Sequence, residues 1–194
     1  MSRRIILASA SPRRRELLAQ IGIDFEIMIS QKEEALTETD PRKVCIKEAD
    51  IKASDIAEQA EKKYPGENIL VIGADTVVAS EGKVLGKPHS REEASEMLKG
   101  LSGREHQVYT GVCVICLPEG AKTCFAEETD VEVDSLTEDD IEDYLNTGEP
   151  FDKAGAYGIQ GYFARYVVQI RGDYNNVVGL PVGRLFRECL KKEL

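Results

Sequence analysis

The run Ile5-Ile6-Leu7-Ala8-Ser9-Ala10-Ser11-Pro12-Arg13-Arg14-Arg15-Glu16-Leu17-Leu18 constrains this chain more than any other. Its spacing predicts a short apolar strand, a turn of small hydroxyl residues, and a helix that ends before Gly22. Ser11 is the expected N-cap, and Pro12 sits at the first helical position, where its missing N–H costs nothing. The first turn then carries three arginines against the positive end of the helix dipole, a position that favours carboxylates. Such a local conflict points to function. A phosphate-bearing anion resolves it, because helix-start N–H groups, the Ser9 and Ser11 hydroxyls and guanidinium groups all bind one. At helical spacing Arg14 shares a face with Leu17, Leu18 and Ile21, and Arg13 stands one turn from Leu17; both lean toward the body of the domain, while Arg15 faces outward. Read blandly, the three arginines are solvated charges and Ser11-Pro12 is only a cap.

A chain of 194 residues is long enough to bury one good core, and residues 1–194 are expected to form a single domain. Its formal net charge of −10, from 35 acidic and 25 basic residues, argues against nucleic acid or an anionic membrane as partner. A small polyanion is a different case, since it needs only a local basic pocket, and a metal ion can supply the rest of the neutralisation. Arg3 and Arg4 precede no long apolar stretch, and no run approaches the roughly 18 apolar residues of a membrane span, so a soluble intracellular protein is expected. Five scattered cysteines fit a reducing compartment. Cys113 and Cys116 have the spacing of a metal pair, yet they lie in a strand-like run whose alternation sends them to opposite faces. They are read as buried core thiols, not as a zinc site.

Further along, Phe25–Ile29 alternates like a strand, and Pro41 opens a helix to about Lys63 with a buried stripe of Ala49, Ala53, Ile56, Ala57 and Ala60. Lys52 lies on the edge of that stripe, where it either snorkels over the core or reaches into a cleft. Ile69–Ile72 is the strongest buried-strand signal, ending at Asp75-Thr76 before Val77 resumes. An acid after four apolar residues is either a turn former or a carboxylate that is paired or metal-bound. Gly86 and Pro88 stiffen the backbone around Lys87, fixing its ammonium or merely shaping a turn. Helices from Arg91 to Leu98 and from Thr137 carry conventional caps, strands run over Val108–Leu117, Cys124–Val133 and Phe163–Ile170, and His89 and His106 read as structural or surface groups. The glycine-rich Gly155–Gly161 segment lets backbone approach a ligand. Within it Gln160 either ties down its own loop or accepts from a pyrimidine N3–H while donating to the neighbouring carbonyl. The C-terminal helix presents Leu185, Phe186 and Leu190 to the core, with exposed parts available for a homodimer contact.

Four segments together, Ser9-Ala10-Ser11-Pro12-Arg13-Arg14 with Glu16-Leu17-Leu18, Gly73-Ala74-Asp75-Thr76, Gly86-Lys87-Pro88, and Lys153-Ala154-Gly155-Ala156-Tyr157-Gly158-Ile159-Gln160-Gly161, resemble the Maf family of nucleoside triphosphate pyrophosphatases. The resemblance covers nearly the whole chain and implies an elongated, two-lobed α/β fold: a mixed, twisted sheet flanked by helices around a central nucleotide-binding cleft. It implies hydrolysis of a nucleoside triphosphate to the monophosphate and pyrophosphate, with a divalent cation (Mg2+ or Mn2+), in the cytoplasm. The Gly-Ile-Gln-Gly segment resembles the branch that prefers dTTP and UTP. Carried residue by residue, the resemblance makes Asp75 the proton acceptor near the metal, with Glu34 or its neighbour Glu33 as a second metal-proximal acid. It places phosphate on Lys52 and Lys87, which with Arg13 and Arg14 are expected to gather the triphosphate, and substrate preference on Arg13, Thr76 and Gln160. An aspartate is a weak base, so Asp75 is expected to act chiefly by holding metal and water in line. The resemblance leaves open whether the role is nucleotide-pool cleaning or control of cell division. Two rival readings follow from it: a regulatory nucleotide-binding module without turnover, and a sister specificity for modified purines or 7-methyl-GTP. A cationic methylated guanine is better matched by a carboxylate than by the neutral Gln160.

Overall fold

The computed structural model describes residues 3–32 and 38–191. In chain order its first elements are β1 (Arg4–Ala8), α1 (Pro12–Gln20), β2 (Glu26–Ile27) and α2 (Pro41–Lys63). They are followed by β3 (Ile69–Ser80), β4 (Lys83–Leu85), α3 (Arg91–Leu101), β5 (Glu105–Leu117), β6 (Ala121–Val133) and α4 (Glu138–Asn146). After a series of 3-10 turns come β7 (Val167–Arg171), α5 (Tyr174–Val178) and α6 (Val182–Leu185). The seven strands make one mixed sheet in the order β2-β1-β3-β5-β6-β7, with β4 added to the far half of β3. β1 is parallel to β2 and β3; β3, β5, β6 and β7 are antiparallel in succession. This is the mixed α/β architecture expected.

Alternation along β3 decides what covers each face of the sheet. Ile69 and Val71 pack with Ala49, Ala53, Ile56, Ala57 and Ala60, the small-residue stripe of α2. Leu70, Ile72, Ala74 and Val78 face the larger core, built from Leu17 and Leu18 of α1, Leu98 and Leu101 of α3, and Tyr144 and Leu145 of α4. The α2 backbone comes very close to the sheet. A Cβ built on Gly73 would lie 2.3 Å from the Ala49 carbonyl oxygen, and one on Gly111 would lie 2.2 Å from that of Cys45.

Several boundaries differ from the sequence reading. β3 does not stop at Asp75-Thr76, because β5 pairs with it without a break from Ile69 to Ala79. Only Glu26–Ile27 of the expected strand at Phe25–Ile29 pairs, and Tyr162–Tyr166 is a 3-10 turn before β7 begins. That turn forms because Phe163 and Tyr162 pack on the buried Tyr144 ring, with centroids 5.0 and 6.3 Å away. Asn175–Val178 is helical, and the C-terminal helix is α6 followed by a π-helical turn over Phe186–Leu190.

The reading of the cysteines is also corrected. Cys113 and Cys116 do point to opposite faces, but Cys113 is joined to Cys124 in a disulfide, and Cys45, Cys116 and Cys189 stand outside it as thiols. The spacing along β5 hid this pairing, which arises between strands: the antiparallel register sets Cys113 directly opposite Cys124. Among the described residues no helix is long and apolar enough to cross a membrane.

The tight seat of α2 generates a stability prediction. Gly73→Ala forces α2 off the sheet and should cost about 2 kcal/mol or more in denaturant unfolding. Gly100→Ala, in α3 with open space around it, should gain up to about 1 kcal/mol.

Candidate active site

β1 stops pairing with β3 at the Ala8–Gly73 register, and β4 resumes on the same edge at Val78–Leu85. Among the described residues Ala74 to Val77 therefore have no strand neighbour on that side, although β5 holds them on the other. A cavity of about 730 Å³ opens into this gap. Because side chains alternate, Asp75 points toward α2 and Thr76 toward α1, so two consecutive residues collect groups from opposite faces of the sheet.

On the α2 side, Lys52 Nζ donates to Asp75 Oδ1 at 2.6 Å and lies 3.8 Å from the Glu48 carboxylate. The acid that the sequence marked as costly to bury is thus paired, and its side chain remains one-fifth exposed at 20%.

On the α1 side, Ser11 caps the helix as expected, its Oγ accepting from the Arg14 amide. Arg14 draws the segments together: Nε donates to the Gly179 carbonyl at 2.8 Å, Nη2 to Thr76 Oγ1 at 3.0 Å and Nη1 to Ser9 Oγ at 3.4 Å. Burial, with the neighbouring Arg13 charge, lowers the pKa of Arg14 from its usual value, against the opposing pull of Asp75. A guanidinium keeps its charge under those conditions, so the site holds a partly desolvated cation beside a second one. An anion entering the cavity relieves that cost. Thr76 Oγ1 also meets Thr110 Oγ1 at 2.9 Å, and Thr110 donates to the Asn176 carbonyl, fixing α5 and Gly179.

The opposite wall comes from Lys87 and the Glu149–Gly161 segment. Lys153 Nζ donates to the Glu149 carbonyl at 2.7 Å and to Asp152 Oδ1 at 2.6 Å, and its stem lies against Gly158, where a Cβ would sit 2.5 Å from the lysine Cε. Asp152 Oδ2 in turn lies 4.0 Å from Arg13 Nη1. Gly155 has a φ of +67°, and a Cβ there would sit 2.9 Å from Val78, so conformation and close approach both require glycine. Under this loop, Tyr144 Oη accepts from the Gly158 amide at 3.2 Å, and His106 Nε2 pairs with Tyr157 Oη at 2.8 Å.

The structure brings Ser9, Ser11, Arg13, Arg14, Lys52, Asp75, Thr76, Lys87 and Gln160 onto one cavity. Glu33 and Glu34 lie outside the described residues. Sequence reasoning assigned no role to Glu149, Asp152 or Lys153, which line the same space, although Lys153 opens the glycine-rich motif and was the available signal. The described lining carries five cationic side chains against three carboxylates, so a strongly acidic chain has a locally positive cavity. The donors there are hard oxygens, the Asp75 carboxylate with the hydroxyls of Ser9, Ser11 and Thr76, which suit Mg2+ or Mn2+ and not a thiophilic ion. The cluster of potential ligands at Asp50, Cys113 and Cys124 does not line this cavity.

A sheet with this interrupted edge, and a cationic cavity in which Asp75 is paired with Lys52, define a phosphate-handling α/β protein. Residues 4–192 match the family described as Maf-like protein, and the chain belongs to that family. A protein of Agathobacter rectalis named dTTP/UTP pyrophosphatase is 50% identical over 197 residues, with 96% of each chain covered. Proteins of the same name from Lachnoclostridium phytofermentans and Caldanaerobacter subterraneus subsp. tengcongensis are 46% and 49% identical, covering 96% and 98% of this chain and 94% and 89% of their own.

The His106–Tyr157 contact under the cavity wall predicts a pH dependence. His106 is fully buried, its Nδ1 has no hydrogen-bond partner among the described residues, and burial pushes its pKa down from 6.5 to about 4, against a weaker upward pull from Asp130. The folded pKa lies below the unfolded one, so well above pH 6.5 the ring is neutral in both states and proton binding takes nothing from stability. As pH falls from 6.5 toward 4 the unfolded chain binds a proton that the folded chain refuses, and stability drops by an amount that levels at about 3 kcal/mol. Unfolding free energies measured between about pH 7 and about pH 5 should fall less steeply for His106→Gln than for the wild type.

Proposed function

We propose that this chain hydrolyses nucleoside triphosphates, dTTP and UTP foremost, to the nucleoside monophosphate and pyrophosphate. The observation that carries the reading is the Lys52–Asp75 pair, set in the gap of β3 beside Arg13 and Arg14. The names of its relatives point the same way.

In this reading Arg13, Lys52 and Lys87 gather the triphosphate, with the Ser9 and Ser11 hydroxyls as donors. Arg14, occupied by Gly179, Thr76 and Ser9, supplies fixed positive charge and holds the turn in place. Lys52 fixes the Asp75 carboxylate through Oδ1. Asp75 orients a water toward the α-phosphorus and accepts its proton. The new bond joins that oxygen to the α-phosphorus, and the bond from the α-phosphorus to the bridging oxygen breaks. Pyrophosphate departs with its charge neutralised by Arg13 and Lys87. Asp75, with Glu34 or its neighbour Glu33 as the second acid that the family resemblance adds, would hold a divalent cation, which would supply Lewis-acid neutralisation of the phosphate oxygens. Gln160 accepts from the pyrimidine N3–H and donates to its neighbouring carbonyl; cytosine lacks that hydrogen.

The test is pyrophosphate release from a panel of nucleoside triphosphates with Mg2+ or Mn2+. Turnover should be led by dTTP and UTP and should fall by about a thousandfold or more in Asp75→Asn. Binding of nucleotide with no turnover on any member of the panel would instead support a regulatory module.

A further inference from the structure

We infer that Cys113 and Cys124 form a reversible dithiol–disulfide site, oxidised by exchange with a low-molecular-weight disulfide and lying outside the nucleotide cavity. The antiparallel register of β5 and β6 sets the two residues directly opposite, with Cα atoms 4.2 Å apart and the sulfurs joined. Their surroundings differ from those of a core disulfide. Cys113 is fully buried under α2, whereas Cys124 is only half-buried. Asp50 of α2 places Oδ1 3.7 Å from Cys113 Sγ, a contact that becomes an S–H hydrogen bond only in the dithiol form. The same oxygen accepts from the Lys122 ammonium, which also donates to Ser54 Oγ at 3.2 Å. Lys122 stands two residues before Cys124, and so on the same face of β6. An ammonium, a carboxylate and a partly exposed sulfur beside a buried one make an entry thiol with a resolving thiol. Among the free thiols, burial pushes Cys45 up to about 12 and Cys189 up to about 11, which leaves both poor nucleophiles at neutral pH.

The exchange balances in two steps. Cys124 attacks one sulfur of the small disulfide; the Cys124–sulfur bond forms, the small S–S bond breaks, and the departing thiolate takes up the proton that Cys124 gave. Cys113 passes its proton to Asp50 and attacks the Cys124 sulfur, displacing the second small thiolate, which recovers that proton. Two protein thiols are oxidised and one disulfide is reduced to two thiols. None of Asp50, Cys113, Cys124 or Lys122 lines the nucleotide cavity, so this inference stands apart from the proposed hydrolysis.

The test uses the full chain, reduced, freed of reductant and exposed to oxidised glutathione, then alkylated and mapped by mass spectrometry. Wild type should lose two titratable thiols, carry no adduct, and yield a peptide joining residues 113 and 124. Cys113→Ser should trap one glutathionyl adduct on Cys124, Cys124→Ser should leave Cys113 unmodified, and Lys122→Met should slow the wild-type oxidation several-fold. A stable adduct on wild-type Cys124, unchanged thiols, or a link between Cys116 and Cys189 would overturn the inference. So would stoichiometric zinc in the reduced protein that shields both thiols and blocks exchange, because the Asp50–Cys113–Cys124 cluster would then be a metal site.

Discussion

Ala74 to Val77 are paired on one edge and open on the other, and the rest of the site depends on that gap. An unpaired strand edge presents backbone donors and acceptors, and proteins generally cover or charge it. Here both flanking strands are brought to a stop by their own sequence. β1 ends in the Ser9–Pro12 turn, whose proline commits the next residues to a helix, and β4 ends at Gly86-Lys87-Pro88, which cannot continue a ladder. The same two stops deliver Arg13 and Arg14 to one end of the gap and Lys87 to the other.

The gap would be soft without α2. The helix backbone rests on Gly73 and Gly111, where a single methyl group would collide with its carbonyl oxygens, so its height above the sheet is fixed. Lys52 therefore reaches Asp75 at hydrogen-bond distance from a helix that has little freedom to shift. On the other face Arg14 plays the corresponding part, spending its donors on Gly179, Thr76 and Ser9. Together they hold opposite charges a short distance apart in a space partly withdrawn from water, where electrostatic interactions are stronger than at the surface. A net charge of −10 over the whole chain then discourages extended polyanions, while the cavity retains an excess of cations for a small one.

Much of this was legible in the sequence because it is local. The Ser11 cap, the α2 alanine stripe and the buried Ile69–Ile72 strand are statements about neighbours at fixed spacing, and each survived in the structure. The conflict of three arginines with a helix dipole falls at the cavity, which Arg13 and Arg14 line. What escaped was set across strands or by packing. The Cys113–Cys124 pair depends on β-sheet register, the 3-10 turn at Phe163 on the Tyr144 ring, and the roles of Asn176 and Gly179 on Thr110 and Arg14, far away in sequence. Asp152 and Lys153 were hidden for a related reason: their meaning lies in a contact chain from Arg13 to the Glu149 carbonyl that only the fold assembles.

The central claim is that Asp75 directs water to the α-phosphorus. Hydrolysis of dTTP in water enriched in oxygen-18, with both products analysed by mass spectrometry, tests it most directly. The account predicts that the label appears in the nucleoside monophosphate and is absent from pyrophosphate. Label in pyrophosphate would place the attack on the β-phosphorus and contradict the proposed direction of water by Asp75.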